Sequence, residues 1–284
     1  MFSDLSLKLY CAVKQGVIKS RNEFWRNFNT EDKILSLDFD ADICIKELKN
    51  NGINLVCAFD PEFPEISPEI KTTEKPFLFA YQGDINLLSD ITRNVAVIGT
   101  LTPTENIAER ENKFVRLLTE KGLNIVSGLA KGCDTIAHET CLSCGGKTIA
   151  FLPSTLSSIY PKSNVKLAKE IVERGGLIIT EYVTEPYNRY ENIKSFIDRD
   201  RLQAMFSSTV ILTASNIKGK GDSGSRYAMD KASEYNRKRL VMYNEKTDSD
   251  NPLFEMNKNY ISKGAEILTA ANVNNRCIRV DGIS

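Results

Sequence analysis

The sequence predicts an α/β protein in which a parallel sheet is covered by helices on both faces. From residue 94 onward, short apolar runs alternate with stretches of helical periodicity, and the turns between them are short. This alternation is typical of strand–helix–strand units, which form parallel sheets. The apolar runs predict strands at 95–98, 123–126, 148–152, 177–180, 209–213 and 239–243. The stretches between them predict helices at about 104–121, 134–144, 163–174, 195–206 and 224–237.

The N-terminal part of the chain has a different pattern, which predicts a small helical domain over residues 1–52. Apolar residues recur there at helical spacing, and an Asn-Asn-Gly sequence ends the pattern. Residues 53–93 are predicted as a connector with short strands and a Pro-rich stretch, because proline removes the donors that a central strand needs. The alternating core covers 94–272, and a C-terminal tail follows at 273–284, with a short strand predicted at 277–280.

Composition places the chain among globular proteins, since 42% of its 284 residues are hydrophobic and 26% are charged. No apolar run approaches the ~20 residues that a membrane-spanning helix needs. The first residues include an early acid and lack the basic segment of a signal peptide. The seven cysteines are scattered and odd in number, which favours reduced thiols. We therefore expect a cytoplasmic protein with no membrane association.

The net charge is zero, but the charges are unevenly distributed. Residues 1–94 hold 11 Lys/Arg and 15 Asp/Glu, a net of −4, whereas residues 189–239 hold 11 Lys/Arg and 6 Asp/Glu, a net of +5. A local basic surface can bind a polyanion even in a neutral protein. The same count also fits a solvated helical face, so both interpretations stay open.

Glycine-rich turns follow three of the predicted strands. The most informative is Ser127-Gly128-Leu129-Ala130-Lys131-Gly132, and the others are Gly99-Thr100 and Ser223-Gly224-Ser225. Turns between a strand and a helix leave backbone N–H groups free to bind a phosphate, and Lys131 adds a positive charge. Because the carboxyl ends of parallel strands share one edge of the sheet, the three turns predict an anion-binding crevice there. The alternative is a tight connection whose glycines only supply positive φ.

Three charged residues are further candidates. Arg199 and Arg201 flank Asp200 in a predicted helix, where they could line the crevice for phosphate or form one ion pair and one solvated side chain. Glu181 follows a predicted strand, where it could act as a catalytic base, fix a loop or pair with an arginine. The sequence alone does not make this protein an enzyme.

The residues Cys133, His138, Cys141 and Cys144 include the ligand types of a zinc site. They do not share one helical face, and no second Cys pair accompanies Cys141-x-x-Cys144. We therefore predict no metal site and no cofactor. The cysteines are interpreted as small buried residues, and His138 as a packing or capping residue.

Eight motifs occur in order along residues 53–272. They are Val97-Ile98-Gly99; Ser127-Gly128-Leu129-Ala130-Lys131-Gly132 with Asp134; Ala137-His138; Gly145-Gly146-Lys147-Thr148-Ile149-Ala150; Tyr160-Pro161-Lys162-Ser163-Asn164; Thr180-Glu181; Phe196-Ile197-Asp198-Arg199-Asp200-Arg201; and Ser223-Gly224-Ser225. In this order and spacing they resemble the DNA-processing protein A family, known as DprA or Smf.

The resemblance implies a Rossmann-like fold that binds single-stranded DNA in a basic pocket. It also implies a homodimer that loads a RecA-type recombinase onto DNA during natural transformation, the uptake of DNA in competence. The residues that it would assign to phosphate binding are Gly99, Thr100, Ser127, Gly128, Lys131, Gly132, Lys162, Arg199, Arg201, Ser223, Gly224 and Ser225. A C-terminal winged helix, present in some members, is expected to be absent here.

Departures from the family pattern keep other functions open. Leu101 stands where the family usually has arginine, Asp200 where it has asparagine, and Thr213 where it has glutamate. The first two changes make the pocket less positive by about two charges, which weakens phosphate contacts. An alternative is therefore a nucleotide-binding sensor or nucleotide hydrolase, for example in phage defence, with Glu181 as its catalytic acid. A third is a protein that only binds other proteins.

Overall fold

A computed structural model of the protein describes residues 2–186, 188–221, 224–269 and 273. Within these ranges, one sheet contains nine strands. They are β1 (Asn54–Cys57), β2 (Leu78–Gly83), β3 (Asn94–Ile98), β4 (Asn124–Ser127), β5 (Thr148–Phe151), β6 (Leu177–Thr180), β7 (Thr209–Leu212), β8 (Lys238–Val241) and β9 (Glu266–Ile267).

The helices flank this sheet. They are α1 (Asp4–Lys14), α2 (Arg21–Asn27), α3 (Glu31–Leu35), α4 (Asp42–Asn50), α5 (Glu105–Glu120), α6 (Cys133–Ser143), α7 (Val165–Glu173), α8 (Arg189–Met205), α9 (Ser225–Glu234), α10 (Glu245–Asp248) and α11 (Glu255–Ser262). As predicted, the first four precede the alternating core, and the predicted core strands match the observed ones to within two residues.

The sheet is mostly parallel, in the order β1-β2-β6-β5-β4-β3-β7-β8-β9. Strands β3 to β9 pair in parallel, whereas β1 pairs with β2, and β2 with β6, in antiparallel register. The sequence predicted short strands in the connector but not their place in the sheet. They extend the same sheet, because β2 offers a hydrogen-bonding edge to β6.

Two further differences concern the ends of elements. Helix α8 begins at Arg189, six residues before the predicted start, because the Asn188 side chain caps it by accepting a hydrogen bond from the Glu191 N–H at 2.9 Å. Strand β9 was not predicted, since a two-residue strand leaves no periodicity. The strand predicted at 277–280 lies outside the described residues.

The two faces of the sheet bury separate hydrophobic clusters. Along β5, Ile149 and Phe151 point into one cluster and Ala150 into the other, as the two-residue repeat of a strand requires. The second cluster includes the buried residues of the N-terminal helices. There Phe24 of α2 stacks on Phe77, with ring centroids 4.1 Å apart. The helical segment is therefore packed on one face of the sheet.

The strand order reverses at β3, which lies between β4 and β7. In open α/β sheets, ligands bind beyond the carboxyl ends of the strands at such a point. Here those ends lead into Gly99 after β3, Gly128 after β4 and Thr213 after β7. The topology thus places two of the predicted glycine turns side by side. No described helix is both long enough and apolar enough to span a bilayer.

Candidate functional site

The turn after β4 is held in shape by an acid from its own sequence. One carboxylate oxygen of Asp134, Oδ2, accepts hydrogen bonds from the Gly128 N–H at 3.1 Å and from the Ala130 N–H at 3.2 Å. Leu129 between them adopts φ of 59°, a conformation rare for a residue with a side chain. Two of the amides that the sequence assigned to a phosphate therefore bind a carboxylate already.

Asn164 braces this turn from outside. Its Nδ2 donates to the Leu129 carbonyl at 2.8 Å and to Thr135 Oγ1 at 2.8 Å. Asn164 ends the segment that begins at Tyr160 and carries Lys162, so the bonds join that segment to the turn that carries Lys131. Both lysine side chains are exposed, and neither forms an ion pair with a described residue.

Arg199 lies directly against the same turn. Its Nη1 is 3.1 Å from Asp134 Oδ2, and its Nε is 3.1 Å from Asp200 Oδ1. A Cβ atom on Gly128 would fall 1.1 Å from Nη1, so only glycine leaves room for the guanidinium. Arg199 is 6% exposed and forms one wall of the crevice rather than a free surface charge.

The turn after β3 packs as closely. A Cβ atom on Gly99 would lie 2.6 Å from Cys133 Sγ, and the Ser225 hydroxyl donates to the Gly99 carbonyl at 3.3 Å. Gly224 precedes α9 with φ of 87°. Thr100 is buried, and its carbonyl accepts from the Cys133 N–H at 3.1 Å. Ser223 lies outside the described residues.

These turns line a crevice of about 20 Å³ that is open to solvent on one side. Its lining residues are Ile98, Gly99, Leu101, Ala130, Asp134, Arg199, Asp200, Gln203 and Ser225. The structure thus brings Gly99, Gly128, Arg199 and Ser225 together. The Ser127 hydroxyl faces inward and donates to the Val97 carbonyl at 2.7 Å.

Lys162 borders a second cavity of about 110 Å³, near the ends of β5 and β6. The half-exposed Tyr160 ring packs edge-on against Phe196 there, with centroids 5.7 Å apart. Glu185 and Asn192 also line this space.

Arg201 and Glu181 form an ion pair, which is one of the alternatives that the sequence left open. Arg201 is 3% exposed, and its Nη2 lies 2.6 and 2.7 Å from the two carboxylate oxygens of Glu181. Arg21 of α2 donates to Glu181 at 2.6 Å and to Asp198 at 2.8 Å. The two groups therefore bind each other and Arg21, so Arg201 is not open to phosphate and Glu181 is not a free base.

Glu111 is a buried acid that the sequence analysis missed. It is 0% exposed, and the Cys133 thiol and the Thr213 hydroxyl lie next to its carboxylate. Burial raises its pKa well above 4.5, and the nearby Asp134 adds to the shift. A signal was present, because Ile107, Glu111 and Leu118 fall on one helical stripe that is otherwise apolar.

Replacing Glu111 with glutamine is expected to flatten the pH dependence of stability. A raised pKa means that the folded state holds the proton where the unfolded state releases it, so wild-type stability falls as pH rises above about 4.5. Urea denaturation at pH 8 should find Glu111→Gln more stable than the wild type by at least ~1 kcal/mol, the equivalent of about one pKa unit. The exposed Glu109 on the same helix supplies the control, and an equal pH slope in Glu111→Gln would contradict the argument.

His138, Cys133 and Cys141 lie in the packed interior, whereas Cys144, also predicted to be buried, is half-buried. The His138 ring is fully buried, with its Nδ1 2.6 Å from Thr148 Oγ1. Burial, with a contribution from Arg199, lowers the pKa of His138 to about 3, so it stays neutral at physiological pH. Cys133 and Cys141 belong to the hydrophobic core. Among the described residues, no group of three acids, cysteines or histidines is placed to hold a metal.

The fold and the crevice define a Rossmann-like α/β protein with a candidate ligand site at its topological switch point. Residues 54–277 match the family model described as DNA recombination-mediator protein A, so the chain belongs to that family of DNA-processing proteins. This confirms the resemblance seen in the sequence.

Curated relatives carry the names of the same family. Protein Smf of Synechocystis is 30% identical over 213 residues, which cover 75% of this chain and 51% of that protein. Protein Smf of Borreliella burgdorferi is 34% identical over 148 residues, which cover 51% and 45%. The chain therefore spans about half the length of the curated relatives it matches.

Two solved structures share the fold. DNA processing protein A from Streptococcus pneumoniae superposes with a TM-score of 0.68 at 24% identity, covering 94% of this chain and 91% of that one. The Helicobacter pylori protein superposes with a TM-score of 0.64 at 29% identity, covering 78% and 94%. The Helicobacter structure is titled for its single-stranded DNA binding mode.

Proposed function

We propose that this chain binds single-stranded DNA at the carboxyl edge of its sheet and acts as a recombination mediator. The observation that carries the proposal is that exposed Lys131 and Lys162 lie on two segments joined by Asn164. Exposed cations on two backbone segments that are hydrogen-bonded to each other suit the phosphates of a strand. Membership of the family and the DNA binding of the Helicobacter relative support the same function.

The proposal includes the partners that the resemblance implied. They are a RecA-type recombinase, which would be loaded onto the bound DNA, and a second copy of the chain in a homodimer. The setting would be DNA uptake or recombination in the cytoplasm. Binding of a recombinase can be tested by pull-down with the purified RecA-type protein of the same organism, in the presence and absence of DNA.

The geometry does not favour the nucleotide hydrolase or sensor. Both oxygens of Glu181, its candidate catalytic acid, are bound by arginines. We therefore propose a binding protein and assign no catalytic residue.

Replacing Lys131 or Lys162 with alanine should weaken DNA binding and reduce its salt dependence. Each lost phosphate contact is expected to lower the slope of log K against log salt by about 0.7 for a single strand. Fluorescence anisotropy with a labelled oligothymidylate, measured over a salt series, gives both quantities. The double variant should lose about twice the slope of either single one.

The matched control is Lys46→Ala, because Lys46 is exposed on α4, in the helical segment away from the glycine turns. Its slope should equal that of the wild type. If the wild type fails to bind the oligonucleotide but a mononucleotide raises its melting temperature, the sensor is the correct function. Binding that is unchanged in both lysine variants would place the DNA elsewhere.

A further inference from the structure

Asp200 is a buried acid at the centre of the crevice. It is 6% exposed, and its Oδ1 lies 3.1 Å from Arg199 Nε and 3.2 Å from Gln203 Nε2. The other oxygen faces the start of α9, since a Cβ atom on Gly224 would lie 3.5 Å from Oδ2. The carboxylate therefore stands between the arginine and the helix N-terminus that the sequence assigned to phosphate.

Two carboxylates of the crevice, those of Asp134 and Asp200, contact the same cation, Arg199. Asp134 binds the amides of Gly128 and Ala130 and the Nη1 side of Arg199, while Asp200 lies at the Nε side. The remaining space is about 20 Å³. A phosphate that approaches Arg199 must therefore displace a carboxylate or meet its charge at short range, where repulsion is strong.

We propose that Asp200 controls anion binding in this crevice, and that a DNA phosphate enters against Arg199 when the Asp200 carboxylate takes up a proton. The proton comes from solvent, and the neutral acid offers an O–H donor in place of a negative charge. This inference rests on the proposed function, and it makes DNA binding stronger at lower pH.

The surrounding charges support a proton at this position. Burial raises the pKa of Asp200 to about 7, and Asp134 of α6 adds to the shift. Arg199 on the same helix, Arg226 of α9 and the hydrogen bond from Gln203 oppose it. His138, the chain's single histidine, has a pKa of about 3 and stays neutral above pH 6. A pH response between 6 and 8 would therefore not come from histidine.

The test measures oligothymidylate binding by anisotropy at pH 6, 7 and 8 and constant ionic strength. For a group that titrates at about 7, the protonated fraction falls about tenfold from pH 6 to 8, so the wild-type dissociation constant should rise by about tenfold. Asp200→Asn should bind at pH 8 as tightly as the wild type does at pH 6, with no pH dependence. Asp38→Asn removes the same charge at an exposed site and should behave as the wild type.

The outcomes separate this inference from the proposed function. If the wild type binds equally well at pH 6 and 8, Asp200 does not control the site, although DNA binding stands. The same conclusion follows if Asp200→Asn folds but keeps the wild-type pH profile. If neither protein binds the oligonucleotide at any pH, the proposed function itself is wrong. The wild-type profile decides the question even if the variant does not fold.

Discussion

Replacement of Arg201 by methionine is expected to lower the free energy of unfolding by about 3 kcal/mol or more. Arg201 contacts both oxygens of Glu181, and the two side chains are only 4% and 8% exposed. Without the arginine, Glu181 is a buried carboxylate with Arg21 as its remaining ion-pair partner. Removing one member of a buried pair is costly because the other charge stays away from water. Urea denaturation at pH 7 measures the loss.

Arg174→Met is the matched control, because Arg174 pairs with Glu170 at a site where the two side chains are 52% and 45% exposed. Exposed pairs contribute about 0–1 kcal/mol. The double replacement Glu181→Gln with Arg201→Met should recover part of the loss, since no carboxylate is then left short of a partner. Equal losses in Arg201→Met and Arg174→Met would show that the buried cluster does not stabilise the fold.

Gly132→Ala is expected to destabilise the protein by several kcal/mol and to displace the glycine turn after β4. Gly132 has φ of 74°, and an added Cβ would lie 2.4 Å from the Thr100 carbonyl oxygen and 2.5 Å from the Leu101 carbonyl carbon. These are backbone atoms of the neighbouring turn, so no side-chain rotation relieves the overlap. The stability of the variant can be measured by urea denaturation, and the turn by oligonucleotide binding.

Gly145→Ala is the control for a positive φ without a steric overlap. Gly145 has the same φ of 74°, but an added Cβ would meet nothing within 4 Å. Its replacement carries the strain of a positive φ, about 1–2 kcal/mol, without any overlap, whereas Gly132 combines the overlap with ψ of −126°, outside the left-handed helical region. We therefore expect the loss at Gly132 to exceed that at Gly145 clearly. Similar losses of stability at both positions would mean that the backbone at Thr100 and Leu101 moves away from the added Cβ at little cost.

The core of the fold could be predicted because its strands are continuous apolar runs. A run such as 95–98 is buried on both faces of a parallel sheet, so its composition alone marks it. The place of β1 and β2 in the sheet could not be predicted, because it depends on pairing between β2 and β6, which are far apart in the sequence. The helical start at Arg189 was missed because its first turn is polar and depends on the Asn188 cap.

The placement of the glycine turns could be predicted from the sequence, but the ion pairs around them could not. The glycine turns meet at the switch point, as strand order requires. The sequence could not show that Asp134 accepts hydrogen bonds from the backbone N–H groups of its own turn, since an acid at that position can equally face solvent. Nor could it pair Arg21 with Glu181, 160 residues away, because periodicity carries no information about such distant partners.

The ion pairs of Arg21 also have a mechanical consequence. Through Asp198, they fasten α2 to α8, the helix that carries Arg199 and Asp200. A ligand that displaces Arg199 would therefore have to strain the ion pairs of Arg21. If a protein bound at residues 21–27 changed the affinity for that ligand, the ligand would change the affinity for that protein by the same factor. The first helices therefore contact both the sheet and α8, the helix that lines the crevice.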